Sequence, residues 1–434
     1  MQLFDLAFWR NGRDKFAHLV RRRLIAAGER RAIRYDKPAF ALRIAGLEKN
    51  DGPIIFLERE FAVYNRLPAE HQPAELDFYI SSCRETDQPL PGSFIEAADR
   101  LMPCVRPMVE FGIWQLVGQL EGSGYEKVPF RHLTPEVGIW LAYDQPYSIP
   151  RISNQQLALW DVTFEHALDI ALANLRRRSA KAFVALAPGL YGSDWNDNYD
   201  NSRLLLTDAI AALPVRGAPL AMMPDRNVLL VTGTEEPGGL SAMVRCAQKV
   251  LDEPRSLEAN ALLLDAGIWR DFIPDSGALG GTDLIQLQEG RISQAYADQK
   301  HLLEKVYEKT GKDIFVATHA MQVESVSGRF HGSIATWTAG VDSLLPKAQN
   351  LALVQPESGR IITASWDAVA GVVGGLLEPM GWWPERFRVR RHPVQRQIEI
   401  LLAKPGVGVR PIESHRLTAL LAAQRKASEP QRTK

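Results

Sequence analysis

The segment 220–273 constrains this chain more than any other. Two apolar runs, 220–223 and 228–232, flank Pro224-Asp225-Arg226-Asn227, a set of residues that favours a tight turn, so they read as a hairpin. A helical stripe over 239–251 and two further strand runs, 261–264 and 269–273, complete a β-β-α-β-β unit. Strands joined by short turns pair antiparallel, whereas a parallel pair needs a long crossover between its strands. The expected class is therefore α+β, with mixed or antiparallel sheets flanked by helices.

The same order recurs further on. A helix over 299–309, a strand at 314–318, a hairpin from 351–354 to 360–365 across Pro356-Glu357-Ser358-Gly359, a helix over 367–377 and strands at 387–391 and 397–402 repeat the pattern. Phe183-Val184-Ala185 aligns with Phe315-Val316-Ala317, and Leu213-Pro214 with Leu345-Pro346, both at an offset of 132. Element order and spacing together suggest a tandem repeat of the unit.

Before it, Phe16, Leu19, Val20, Leu24 and Ile25 form an amphipathic stripe ended by Gly28. Strands are expected at 32–35, 39–44, 54–57, 105–114, 138–142 and 148–152, and helices over 60–84 (broken by Pro68 and Pro73), 93–102 and 164–175, the last capped by Thr163. The 202–213 segment reads as a helix stopped by Pro214. With 434 residues there is room for two or three domains of roughly 100–200 residues each. The expected division is an N-terminal domain over 1–150, a β-β-α-β-β domain over 151–276, a second copy over 290–403 after a Gly- and Ser-containing linker at 274–290, and a basic tail over 404–434 in which 414–425 could form a helix on binding.

Charge sums to zero but is unevenly placed. Residues 1–37 carry +6, 384–402 carry +3 and 403–434 carry +5, against −14 for 38–383. Basic ends of this kind suit nucleic acid or an acidic partner, and solvated helix faces explain them as well. In the run Arg386-Phe387-Arg388-Val389-Arg390, alternation puts Arg386, Arg388 and Arg390 on one face behind Trp382-Trp383. That face could track phosphates with tryptophan stacking, or it could be an edge strand blunted by charge.

The densest polar signal is Asp194-Trp195-Asn196-Asp197-Asn198-Tyr199-Asp200-Asn201-Ser202-Arg203. Oxygen side chains at alternating positions resemble a loop that wraps a hard cation, although no glutamate closes it. The candidate polar site is Asp194, Asp197, Asp200, Ser202 and Arg203, with Asp200 as base or metal ligand and Arg203 as anion clamp. A plain turn and helix start explains the same residues, with Asp200 or Ser202 as the cap. His319, Glu324 and His331 would make a metal set if the loop between them folded back, and His301 with Glu304 share a helix face. No nucleophile elbow, dinucleotide fingerprint or P-loop occurs, so no cofactor and no catalytic residue is assigned. Cys83, Cys104 and Cys246 form no CxxC, which suits a reducing compartment, and neither a secretory signal nor a membrane-length apolar run is read. The cytoplasm is the expected location.

The runs Tyr199-Asp200-Asn201-Ser202-Arg203-Leu204-Leu205-Leu206 and Ala218-Pro219-Leu220-Ala221-Met222-Met223-Pro224-Asp225-Arg226-Asn227-Val228-Leu229-Leu230-Val231 resemble the YtpQ-like family of uncharacterised bacterial proteins. The likeness covers roughly 1–275, and 290–434 form an extension beyond it. The resemblance implies a bacterial cytosolic protein and no particular activity. The expected role is non-enzymatic, a protein-binding or scaffold function through sheet edges and faces. The alternatives are a metal-dependent hydrolase or transferase using 194–203, and nucleic-acid binding through the basic ends.

Overall fold

A computed structural model describes residues 3–46, 54–86, 88–121, 128–253, 256–324 and 330–412. At the N-terminus α1 (Leu3–Ala26) covers an antiparallel sheet of β1 (Ile33–Asp36), β2 (Ala41–Ile44) and β3 (Ile54–Phe56), followed by α2 (Glu58–Arg66) and α3 (Gln72–Thr86). The expected stripe does the work here, since Phe16, Val20 and Leu24 are buried against Leu42, Phe61 and Ile80. Pro68 lies in the break between α2 and α3, and the break expected at Pro73 is corrected, because Pro73 sits in the first turn of α3, where its missing amide donor costs no helical hydrogen bond.

Next come α4 (Phe94–Ala97), β4 (Leu101–Pro107), α5 (Met108–Glu121), β5 (Phe130–Thr134), β6 (Val137–Tyr143), α6 (Asn154–Leu159) and α7 (Phe164–Arg178), with strand order β4-β6-β5. Thr163 caps α7 by accepting from the His166 N–H at 3.2 Å. The expected strand over 105–114 is corrected: it ends at Pro107 and the same apolar run continues as helix α5. A run apolar on every side carries neither period, so length and burial decide between strand and helix. Here α5 is enclosed on several sides, and at Gly112 an added Cβ would collide with the backbone carbonyl of Trp383.

The third stretch has β7 (Val184–Ala187), β8 (Leu190–Gly192), α8 (Thr207–Ala211), β9 (Pro219–Asp225), β10 (Val228–Gly233), α9 (Gly239–Leu251), β11 (Ala261–Asp265) and β12 (Ile268–Asp271). All pairs in its sheet, ordered β12-β11-β9-β10-β8-β7, are antiparallel, and the β9–β10 hairpin and α9 fall where the sequence places them. One buried cluster joins Val105, Ile139 and Leu141 to Met223, Val231 and Leu262, so a single core runs across residue 150.

The last stretch opens with α10 (Gly281–Thr310), then β13 (Phe315–Val316), β14 (Ala320–Val323), β15 (Phe330–Thr338), β16 (Ser343–Pro346), β17 (Asn350–Gln355), β18 (Arg360–Ser365), α11 (Trp366–Val373), β19 (Glu378–Pro379), β20 (Arg386–Val389), α12 (Gln395–Leu402) and β21 (Gly408–Pro411). Half of the expected linker is thus helix. In α10, Ala295, Gln299, Leu303 and Tyr307 are buried at a spacing of four, a stripe that begins well before residue 299. The strand expected at 397–402 is helix α12, because Ile398 and Leu401, three apart, are the buried pair. Two sheets result: β13-β16-β20-β19, and β14-β15-β17-β18-β21, where β15 and β17 run parallel. The hairpin-then-helix order of β9, β10 and α9 is matched by β17, β18 and α11. The strand that follows α9, β11, joins β9 in the same sheet, whereas the strand that follows α11, β19, joins the other sheet beside β20, and Leu345-Pro346 lies in a strand where Leu213-Pro214 follows a helix. The sheets are mostly antiparallel, and the fold is α+β. Among the described residues no helix is long and apolar enough to cross a membrane.

Candidate functional site

The 194–203 loop is built around its own carboxylates. Asn196 and Asn198 adopt φ of 54° and 67°, a left-handed bend that asparagine tolerates. The loop thereby closes on Asp200, which accepts from the N–H groups of Trp195 and Asp197 at 3.2 and 3.3 Å. Burial pushes the Asp200 carboxyl up, opposed by the Ser193 hydroxyl and reinforced by the Asp197 charge. Arg203, 1% exposed, pairs in a fork with Asp197 at 2.9 and 2.8 Å, donates to Ser179 Oγ at 3.0 Å and lies 4.1 Å over the Trp195 ring. Burial raises the Asp197 carboxyl, but the Arg203 fork outweighs it and holds the group below the ordinary range. Ser202 Oγ accepts from the Val105 N–H at 3.3 Å, tying the loop to β4.

Of the five candidates, Asp194 is exposed, Asp197 reaches the wall of a cleft, and Asp200, Ser202 and Arg203 are buried. The capping expectation is corrected in detail, for Asp200 closes the loop ahead of it and the 201–205 turn has no side-chain cap. Among the described residues no group of three or more His, Cys, Asp or Glu side chains is placed to hold a metal ion. His331 is exposed, while His319 is buried elsewhere.

The basic strand is also answered from within. Arg386 is fully buried under α10, donating to Gln299 Oε1 at 2.6 Å and to the carbonyls of Ala317, Leu344 and Tyr296 at 2.9, 3.2 and 3.1 Å. Arg388 pairs with Asp342 at 2.8 Å, and Arg390 with Glu378. The edge-strand expectation is corrected, because β20 has β16 on one side and β19 on the other. Trp383 packs on Phe130, and Trp382 packs into the cluster of Leu116 and Leu303. The basic tail from residue 413 onward, including 414–425, lies outside the described residues.

The strongest concentration of perturbed groups lies elsewhere, in a cleft of about 770 Å³ where α10 meets the β5–β6 turn and the segments before β11 and α11. Five carboxyl groups, those of Glu136, Glu258, Glu289, Asp367 and Glu385, face it against the single ammonium of Lys347. Burial pushes Glu258 up to about 7, although Arg291 opposes this from 3.9 Å. Burial also raises Glu289, opposed by hydrogen bonds from Ser333 and Gln349, and raises Glu136, where the Asp271 charge adds to it. His319 stacks on Tyr296 at 5.0 Å with Nδ1 3.1 Å from Ser293 Oγ, and burial followed by the Arg386 charge lowers it to about 4. It is therefore neutral at pH 7, and its 3.8 Å approach to Glu289 is a contact between a neutral ring and a carboxyl rather than an ion pair. The Tyr296 hydroxyl donates to the Glu385 carbonyl at 2.8 Å and accepts the Lys347 N–H at 3.1 Å, fixing one wall.

Sequence reasoning missed this cleft. Its acids are spread from 136 to 385, none sits in a local motif, and only His319 carried a signal. Comparison with protein-family models, curated proteins and solved structures finds no match to the chain.

Proposed function

We propose that the chain is a non-enzymatic binding protein that receives a basic segment of a partner protein in the acidic cleft. The observation that carries this reading is the imbalance of five carboxyl groups against one ammonium within about 770 Å³, a volume ordinary for a ligand site. At Glu258, with Arg291 3.9 Å away, and at Glu289, burial outweighs the stabilisation that neighbouring groups supply to the carboxylate, so a further cation is favoured there. An arriving guanidinium or ammonium takes the proton's place at Glu258 and Glu289 and gains a pairing that water does not screen. The same walls carry Ile285, Ile292 and Phe272, which suit the aliphatic stem of lysine or arginine, and Ile273 stands 88% exposed at the rim. The hydrolase reading of 194–203 has less behind it, since Asp200 and Arg203 are already engaged. The YtpQ-like resemblance remains our proposal for the family of residues 1–275, and three free cysteines support a cytoplasmic location.

Titration calorimetry with an arginine-containing peptide, in two buffers that differ in ionisation enthalpy, tests the reading. Binding near pH 7 should release protons, and Glu258→Gln with Glu289→Gln should weaken it by about tenfold or more, as loss of charge-assisted bonds does. Equal binding of an acidic peptide, or binding with no proton release, refutes it.

A further inference from the structure

The six-stranded sheet ends on β7, and that edge is bare. Among the described residues β8 is the only strand that pairs with β7, and no other backbone group hydrogen-bonds to 183–187. The N–H and C=O groups of a sheet edge are a template for another strand, and chains usually guard them with charge. The opposite edge of this sheet is guarded in that way, since β12 carries Arg270 and Asp271. On β7 there is no such guard: residues 182–192 hold no charged side chain, and Val184 and Leu186 stand 45% and 52% exposed.

A cavity of about 190 Å³ opens where the chain enters β7, with Phe183, Trp195, Leu206, Ala212 and Leu213 in its wall. That volume is below the range of small-molecule sites and suits one large side chain. Phe183 meets the Trp195 ring edge to face at 5.2 Å, and the Arg203 guanidinium covers the same ring at 4.1 Å. The buried Trp195 Nε1–H, however, meets no acceptor among the described residues. A buried donor without an acceptor is unfavourable, and an arriving carbonyl would relieve it. A bulge between Ala185 and Ala187 bends the far end of β7, so the half beside the cavity is the half free to pair.

We propose that β7 receives an extended, uncharged segment of a partner protein as a further strand, with one large apolar side chain in the cavity and a main-chain carbonyl on the Trp195 indole. Each part of the surface selects one property of that segment. The bare edge asks for main-chain donors and acceptors in extended form, and the uncharged 182–192 stretch asks for apolar side chains. The cavity asks for one bulky residue, and the indole asks for an acceptor. An added strand takes its affinity from main-chain hydrogen bonds and its selectivity from alternate side chains. The proposal is independent of the acidic cleft, since this segment carries no charge.

Titration calorimetry on the full chain with the end-capped peptide Thr-Val-Thr-Leu-Thr-Val-Thr tests it. Binding should saturate at one peptide per chain. Successive residues of a strand aim their N–H groups to opposite sides, so N-methylation of one alternate set should abolish binding, while the other set should leave it within about twofold. Ala212 is exposed, so Ala212→Leu should fold normally, fill the cavity and weaken binding by about tenfold or more, the scale of one buried apolar side chain. Trp195→Phe keeps a ring and removes the donor, and should weaken binding about fivefold with an unchanged circular-dichroism spectrum. Four results overturn the proposal: no binding of the peptide, equal effects of the two methylation sets, Ala212→Leu affinity equal to that of the parent chain, or a parent chain that sediments as a dimer and becomes monomeric in Val184→Lys, which assigns the edge to a second copy.

Discussion

Replacing Glu258 by glutamine should stabilise the chain, and only toward alkaline pH. The folded carboxyl keeps its proton up to about 7, against an ordinary 4.5. Between those values the folded state binds more protons than the unfolded state, so stability falls as pH rises and the full deficit is present above about 7. At about 1.4 kcal/mol for each tenfold change in proton affinity, holding the ionised carboxylate in the fold costs about 3 kcal/mol. The side chain is 16% exposed, so solvent screening removes little of this. Glutamine keeps the shape and cannot ionise. Thermal unfolding of both chains from about pH 5 to about pH 8.5 should show a gap near zero at the acid end, opening to about 3 kcal/mol or a few degrees at the alkaline end. A gap that is constant across this range refutes the reasoning. So does a variant less stable than the parent at alkaline pH, which would mean that the Arg291 pairing outweighs burial.

Asp197→Asn leaves Arg203 buried without its carboxylate and should cost about 3–5 kcal/mol at neutral pH by denaturant unfolding. Because Asp197 is held below the ordinary range, its contribution is fully present at and above that range, and the gap between the two chains should close as pH falls below it toward the lowered folded value. Gly112→Ala forces a Cβ against the Trp383 carbonyl between α5 and the 380s and should lose about 1–3 kcal/mol, read as a lower denaturant midpoint. The pair Arg388→Gln and Arg390→Gln should leave nucleic-acid retention on a filter at low salt unchanged, since both side chains already pair within the chain.

Local patterns in the chain carried what depends on neighbours in sequence. The Pro224–Asn227 turn, the Thr163 cap, the break at Pro68 and the stripe of Phe16, Val20 and Leu24 all act over a few residues, and each stands where the sequence puts it. Runs without a period were the failures. The runs 105–114 and 397–402 read as strands, and the helical state of 108–114 and 397–402 follows from which sides other elements cover. The polar density of 194–203 was visible, but its use was not, because polar side chains that close a loop on themselves look in sequence like side chains waiting for a ligand.

The α+β class, the hairpin-and-helix order and the alternation of Arg386, Arg388 and Arg390 are legible along the chain, since turns, caps and periodicity are short-range properties of the backbone. That Arg386 is a buried anchor, and that Glu136, Glu258 and Glu289 share one cleft while Arg59, Arg151 and Arg226 share another, follows from long-range packing alone. Burial and long-range pairing set proton affinity and charge balance, and both depend on groups up to about 250 positions apart in the chain, a separation at which sequence spacing carries no signal.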